Sequence, residues 1–302
     1  MFLKKTNKII IIQLQGGLGN QMFQYAFARI LAKRNSVTLK LDRSFFDTLS
    51  NVQEFTQRNF ELGIFKNVCT QASSKEIIKL TRLSFINKIK KKLGVYYKSN
   101  IYSEPYLDFQ SEALSIKAPV YIKGYFQSYK YFENQEDLIR ETFCFPVGSL
   151  EDRNKALLSK LQSETTISVH IRRGDYVTNS KTQQFHGNCS LEYYSKAIAL
   201  LASKTKKFTL VFFSEDSQWV KEQFGNLQYS KLFIDYNTEE NSWIDMFLMS
   251  SCSHNIIANS SFSWWAAYLN KQNDKIVIAP KKWYANLESN TNDLIPPQWI
   301  RL

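Results

Sequence analysis

An apolar run over residues 8–14 passes through Gly16, Gly17 and Gly19 into a stretch where Met22, Phe23, Ala26, Phe27, Ile30 and Leu31 recur at spacings of three and four. That period places them on one helical face, so a helix is predicted over 20–33, between a strand at 8–14 and a second strand at 36–41 that ends at Asp42. The three form a β-α-β unit. The second half alternates in the same way. Short apolar strands are predicted at 167–171, 208–213, 231–234, 255–258 and 275–278, with helical patterns at 191–202, 218–224 and 243–250 between them. Strands alternating with helices imply an α/β fold with parallel sheets. A polar, charged helical stretch at 150–163 separates the halves, and the chain divides there into domains 1–155 and 156–302.

One segment breaks the pattern. Residues 73–100 hold seven lysines and Arg82 against a single acid, Glu76, so they carry +7 of the chain's formal +12. Leu83, Ile86, Ile89 and Leu93 keep helical spacing inside it, which predicts a basic amphipathic helix stopped by Gly94. Such a helix is either a solvated surface element or a docking face for an anionic membrane.

Composition narrows the class. A chain of 302 residues with 44% hydrophobic content can bury a sizeable core as one large α/β domain or two of about 150 residues. Cys69, Cys144, Cys189 and Cys252 lie far apart with no CxxC pair, which fits neither a zinc ribbon nor a disulfide framework and points to reduced thiols in the cytosol. The N-terminal apolar run is too short for a signal sequence or a membrane span, so a soluble or peripheral protein is expected. No HExxH or DxD motif is present, and His170, His186 and His254 stand apart, so no metal site is predicted. A pI of 9.3 invites a nucleic-acid reading, but outside the basic segment the excess charge is ordinary for a soluble enzyme.

Four constellations could carry chemistry. The first, Gln15-Gly-Gly-Leu-Gly-Asn-Gln21, follows the first strand, where glycines admit a ligand to the backbone and a helix N-terminus favours an anion; the other reading is a purely structural turn. With Asp42 it imitates a dinucleotide fingerprint, yet counting from Gly17 the third glycine is replaced by Met22, which argues against NAD. The second, His170-Ile-Arg-Arg-Gly-Asp175, closes a strand at the edge where open α/β sheets bind ligands, and Arg172 and Arg173 offer guanidinium forks suited to a diphosphate. In the third, Phe212-Phe-Ser-Glu-Asp216, Ser214 and Asp216 either bind the donor, the acid accepting hydrogen bonds from guanine, or cap the next helix. The fourth, Asn259-Ser-Ser-Phe-Ser-Trp-Trp265, offers the hydroxyls of Ser260, Ser261 and Ser263 and unpaired amides to phosphate, or is a serine-rich cap; its tryptophans are core or sugar-facing.

Together these segments resemble glycosyltransferase family 11, the α-1,2-fucosyltransferases, especially bacterial enzymes that decorate lipopolysaccharide O-antigens. The likeness runs in order over 15–283 and takes in His186-Gly-Asn-Cys-Ser-Leu-Glu-Tyr-Tyr194; it is poorest over 45–116, where acceptor specificity is expected to lie. The resemblance implies a GT-B architecture, two Rossmann-like domains across a cleft, needing neither metal nor cofactor and holding GDP-fucose mainly in the C-terminal domain. It implies inversion of β-L-fucose to an α-linkage on O2 of a terminal galactoside. By the same implication Arg172 grips the β-phosphate, His170 and Asp216 bind guanine, Ser260 and Ser261 bind phosphates, and Asn20 reaches the donor on closure. Arg172, with Arg173 near it and the helix at Ser260, is expected to stabilise the leaving diphosphate. Asp175 is the first candidate for the base, with orientation of Arg173 as its other role, and His186 is the second. The expected setting is the cytoplasm or the periphery of the inner membrane, with a galactose-terminated or lipid-linked glycan as acceptor and no nucleic acid.

Overall fold

The computed structural model describes residues 8–48, 58–96, 99–173, 187–285 and 291–302. The chain divides into two compact units, Met1–Cys144 and Phe145–Leu302. The first unit begins β1 (Ile9–Gln13), α1 (Leu18–Asn35), β2 (Thr38–Asp42) and α2 (Ser44–Thr48). It continues with α3 (Ser74–Thr81), α4 (Phe85–Lys92), β3 (Ile101–Ser103), β4 (Val120–Lys123) and α5 (Glu136–Thr142). Its sheet has the order β2-β1-β4-β3, every pair parallel. Helix α1 covers it with the predicted face: Met22, Phe23, Ala26, Phe27, Ile30 and Leu31 are all buried. Phe27 stacks on Phe126 at 4.0 Å between ring centroids, 10° from parallel, so the helix is joined to the loop after β4 by an aromatic pair.

The second unit consists of α6 (Asp152–Ser163), β5 (Thr166–His170), α7 (Leu191–Lys204), β6 (Thr209–Phe213), α8 (Ser217–Phe224), β7 (Ser230–Ile234), α9 (Ser242–Ser250), β8 (His254–Ile256), α10 (Ser261–Leu269), β9 (Val277–Ala279) and β10 (Ile300–Arg301). Its sheet, order β10-β9-β8-β5-β6-β7, is again parallel throughout. Strands β5 and β6 are buried at every position, as expected of central strands covered on both faces, and Ile167, Val169, Leu210 and Phe212 pack on Tyr194, Ile198 and Leu201 of α7.

Two expectations are corrected. The boundary between units falls after Cys144 and not at 155, because α6 belongs to the second unit. There Asn154 and Asn237 exchange buried side-chain hydrogen bonds of 2.9 and 3.2 Å, and Phe145 stacks on Trp243. The single helix expected over 73–100 is two: Arg82 is extended, and Ser84 starts the second helix by accepting the Asn87 amide at 3.2 Å. Strands β3, β4 and β10 have no counterpart in the sequence reading. Among the described residues no helix is long and apolar enough to cross a membrane, and no group of three His, Cys, Asp or Glu could hold a metal ion.

Candidate active site

A sheet of this kind binds ligands beyond the carboxyl ends of its strands, where the strand order changes direction. In the second unit β6 and β7 extend from β5 on one side and β8, β9 and β10 on the other, so the change falls between β5 and β8. Two of the four sequence constellations emerge there. His170 ends β5, and Asn259 and Ser260 lead from β8 into α10; the rings of His170 and Phe262 lie 5.9 Å apart, which joins the two segments directly.

Two consecutive tyrosines of α7 fix this junction. Tyr194 donates its hydroxyl to the His170 carbonyl at 3.1 Å, and Tyr193 donates to the Ile257 carbonyl at 2.6 Å, one on each side of the change in order. Ser190 caps their helix by accepting the Tyr193 amide at 3.1 Å. The asparagine of the fourth constellation is structural as well: buried Asn259 donates through Nδ2 to the carbonyls of Gly187 and Trp283.

The arginines reach toward the loop after β6. Arg172 pairs with Glu215, and Arg173 places Nε 3.0 Å from Asp216 while its guanidinium covers the Trp219 ring at 3.9 Å. Asp216 uses its other carboxylate oxygen to accept the Trp219 amide at 3.2 Å, so it caps α8 and clamps Arg173 at once. Ser214 accepts the Asp216 amide at 3.1 Å and shapes the same turn. Asp216 therefore caps α8 in the free protein, and each of its oxygens keeps a second lone pair. Glu215, about half exposed, was missed although it lies inside the segment singled out; Trp219 was missed as well, since its role depends on Arg173 arriving from another strand.

His170 is buried, and burial first, with the adjacent Arg172 charge second, pushes its imidazole down to about 3. It is a neutral ring at any physiological pH, and its Nδ1 has no hydrogen-bond partner among the described residues. In α10, Ser260 caps the helix by accepting the Phe262 amide at 3.3 Å, Ser261 stands on the first turn, and both remain at the junction. Ser263 differs: it is fully buried and donates to the Ser260 carbonyl at 3.4 Å. Trp264 and Trp265 are core residues, the former donating Nε1 to the Leu294 carbonyl at 2.9 Å. Asp175 and His186, the candidate bases, lie outside the described residues.

In the first unit the order changes between β1 and β4, and the glycine loop emerges there. Gly16 has φ +76°, and a Cβ on it would meet the Asn20 side chain at 2.6 Å. The loop is locked by its own helix: Gln21 donates to the Gly16 and Asn59 carbonyls at 2.8 Å, and Gln24 bonds the backbone of Gln15 in both directions. Asn20 accepts Gln127 Nε2 at 2.7 Å, tying the loop to the turn after β4. Asp42, the apparent ribose acid, is buried; it accepts the Tyr121 hydroxyl at 2.5 Å and the Ser44 amide at 2.9 Å. That engagement removes the basis for a dinucleotide site. Glu104, which the sequence did not single out, accepts the amides of Tyr125 and Phe126 at 2.6 and 3.0 Å, and burial raises its carboxyl to about 7.

This arrangement has close relatives. The model for glycosyl transferase family 11 matches residues 8–302. The chain belongs to that family. It is 37% identical to the O-antigen biosynthesis glycosyltransferase WbnK of Escherichia coli, over 96% of this chain and 99% of the relative. It is 34% identical to an alpha-1,2-colitosyltransferase of the same organism, over 97% and 99%. With human galactoside alpha-(1,2)-fucosyltransferase 1 it shares 26% identity over 55% of this chain and 46% of the relative. Among solved structures, NodZ alpha-1,6-fucosyltransferase co-crystallized with GDP superposes with a TM-score of 0.51 at 15% identity, covering 87% of this chain and 92% of that one. The family-11 chain is therefore a glycosyltransferase, and its two Rossmann-like units with parallel sheets give it the GT-B class of fold.

Proposed function

We propose that this family-11 enzyme moves L-fucose from GDP-β-L-fucose onto O2 of a terminal galactose of a surface-glycan precursor, with inversion at the anomeric carbon. The observation that carries the proposal is the meeting of neutral His170 and the capped start of α10 at the β5–β8 change of strand order, with the Arg172 charge close enough to act on the His170 ring. Breaking the bond from C1 to the diphosphate places negative charge on the β-phosphate while the sugar becomes oxocarbenium-like. Arg172 meets that charge with a fork that cannot lose its proton, and the first amides of α10 at Ser260 and Ser261 add a fixed dipole. Arg173, held by Asp216 and Trp219, supports the field without having to move. His170, uncharged, offers the nucleotide a hydrogen-bonding ring and adds no competing cation. With the leaving charge met by fixed groups of the protein, the transfer requires neither a metal nor a cofactor, and chelator-treated enzyme is expected to retain activity.

The acceptor hydroxyl needs a base to take its proton, and Asp175 and His186 remain the candidates. Full-length likeness to an O-antigen glycosyltransferase supports a lipopolysaccharide precursor, assembled at the cytoplasmic side of the membrane, as acceptor. A second reading has an observation of its own: the name of the colitosyltransferase relative makes a colitosyl nucleotide an alternative donor, colitose being the 3-deoxy form of L-fucose. Competing the two donors with one β-galactoside acceptor separates them. Fucose addition at O2 supports the main reading, exclusive use of the deoxy donor the second, and release of sugar only to water opposes both.

A further inference from the structure

The basic segment of the first unit has a face that the fold leaves open. Helix α3 is anchored, since Leu80 is buried against Ile11 and Tyr121 of the sheet and its start carries a Ser73–Glu76 capping box. Helix α4 and the residues after it are not. Phe85 is 77% exposed, Ile86 66%, Leu93 70% and Tyr96 85%, with Ile89 at 43%. At about 100° per residue, Phe85, Ile89, Leu93 and Ile86 fall within one arc of roughly 100°. Lys88 and Lys92 flank that arc on one side and Lys90 on the other, and all three are exposed.

We propose that the α4 face, Phe85, Ile86, Ile89 and Leu93 bordered by Lys88, Lys90 and Lys92, docks the enzyme on an anionic phospholipid surface. Side chains of this size held in water are a liability in a monomer and an anchor at an interface. A bilayer boundary takes them up while the lysine stems extend along the apolar stripe and their ammonium groups reach the headgroups. Charge decides the occupant. A second copy would bring two strongly positive faces together, and a nucleic acid would answer the lysines but leave the Phe, Ile and Leu stripe in water. The chain is anchored at Leu80 before this segment and at Ile101 after it, and the apolar stripe between them faces solvent. The inference is independent of which sugar is transferred, because it concerns where the enzyme works.

The test is sedimentation of the full chain with vesicles of phosphatidylcholine alone and of phosphatidylcholine mixed with phosphatidylglycerol. The enzyme is expected to sediment with the anionic vesicles and to remain in solution with the neutral ones. A variant carrying Phe85→Ser, Ile89→Ser and Leu93→Ser is expected to lose at least about tenfold in partitioning while keeping the wild-type circular dichroism spectrum and thermal midpoint, which shows that it is folded. A Lys88→Gln, Lys90→Gln, Lys92→Gln variant is expected to lose the salt sensitivity of binding. A wild-type chain that ignores anionic vesicles, or an apolar variant that sediments like the wild type, overturns the proposal. So does a wild-type dimer that the apolar variant converts to monomers, since that assigns the face to a second copy.

Discussion

Arg172 stands between two kinds of partner: Glu215 in the free protein and, in the proposed reaction, the β-phosphate of the donor. Because its contribution rises as the leaving group acquires charge, Arg172→Ala is expected to lower kcat by about two to three orders of magnitude with an unchanged circular dichroism spectrum. Turnover near that of the wild type would remove the residue from the reaction. Arg172→Lys retains charge but not the fork and is expected to recover only part of the loss. Sequence and structure diverge most for the neighbouring side chains. A motif can be recognised from residue types in order, so Arg172, His170 and Ser260 were legible; Glu215 and Trp219 matter through pairs that form only when β5 and β6 lie side by side. Ser263 and Ser260 cannot be distinguished in a run of serines, and only the helix turn decides which one faces inward. Protonation is testable at the same scale. Burial raises Glu104 to about 7, and burial together with the nearby charges of Glu215 and Asp235 raises Asp245 to about 7, both above their unfolded values. The folded chain therefore holds more protons than the unfolded one between about pH 4 and 7, so the stability these groups confer is present in acid and lost as the pH rises through 7. His170, pushed down to about 3, has the opposite sign: its contribution is present above about pH 6.5 and lost as the pH falls. Urea unfolding of Asp245→Asn across this range should show a flatter loss of stability toward pH 7 than the wild type, and an identical slope would contradict the assignment.

At the scale of elements, the site depends on strand ends held in place by side chains of a neighbouring helix. Tyr193→Phe and Tyr194→Phe each leave a carbonyl at the β5–β8 junction without its hydroxyl donor, and each is expected to lower unfolding stability by about 1 to 3 kcal/mol. Changes confined to a few tenths of that range would make the tyrosines mere filling. The turn after β4 is constrained differently. Gly124 has φ +147°, and a Cβ there would come within 2.4 Å of Glu104 Cβ, so Gly124→Ala is expected to cost several kcal/mol or to yield insoluble protein. Wild-type stability in that variant would refute the close approach. Elements with a clean period were legible: α1, α7 and the buried strands β5 and β6 lie within a few residues of their predicted limits. Strand β3, Ile101–Ser103, is too short to show a period, and β4 is a Val-Tyr-Ile run between Pro119 and Gly124 that resembles any buried loop. The break between α3 and α4 had one local sign, Ser84 three residues before Asn87, which the continuous apolar spacing masked.

At the scale of the whole molecule, the glycine loop of the first unit and the segments at His170 and Ser260 of the second emerge at the carboxyl edge of a parallel sheet where the strand order changes. The alternation of strands and helices made that class of fold readable, while the order of the strands, which selects the place along the edge, required the structure. The chain's excess positive charge is likewise localised, on a segment distant in sequence from the arginines of the second unit. The central claim is that this edge of the second unit serves fucosyl transfer to a galactose 2-hydroxyl, and the most direct measurement is linkage analysis of the product formed from GDP-fucose and a terminal β-galactoside. An α-1,2-linked fucosyl galactoside, formed by the wild type and lost in Arg172→Ala, is the predicted result; fucose attached at another position, or no transfer from GDP-fucose at all, would contradict it.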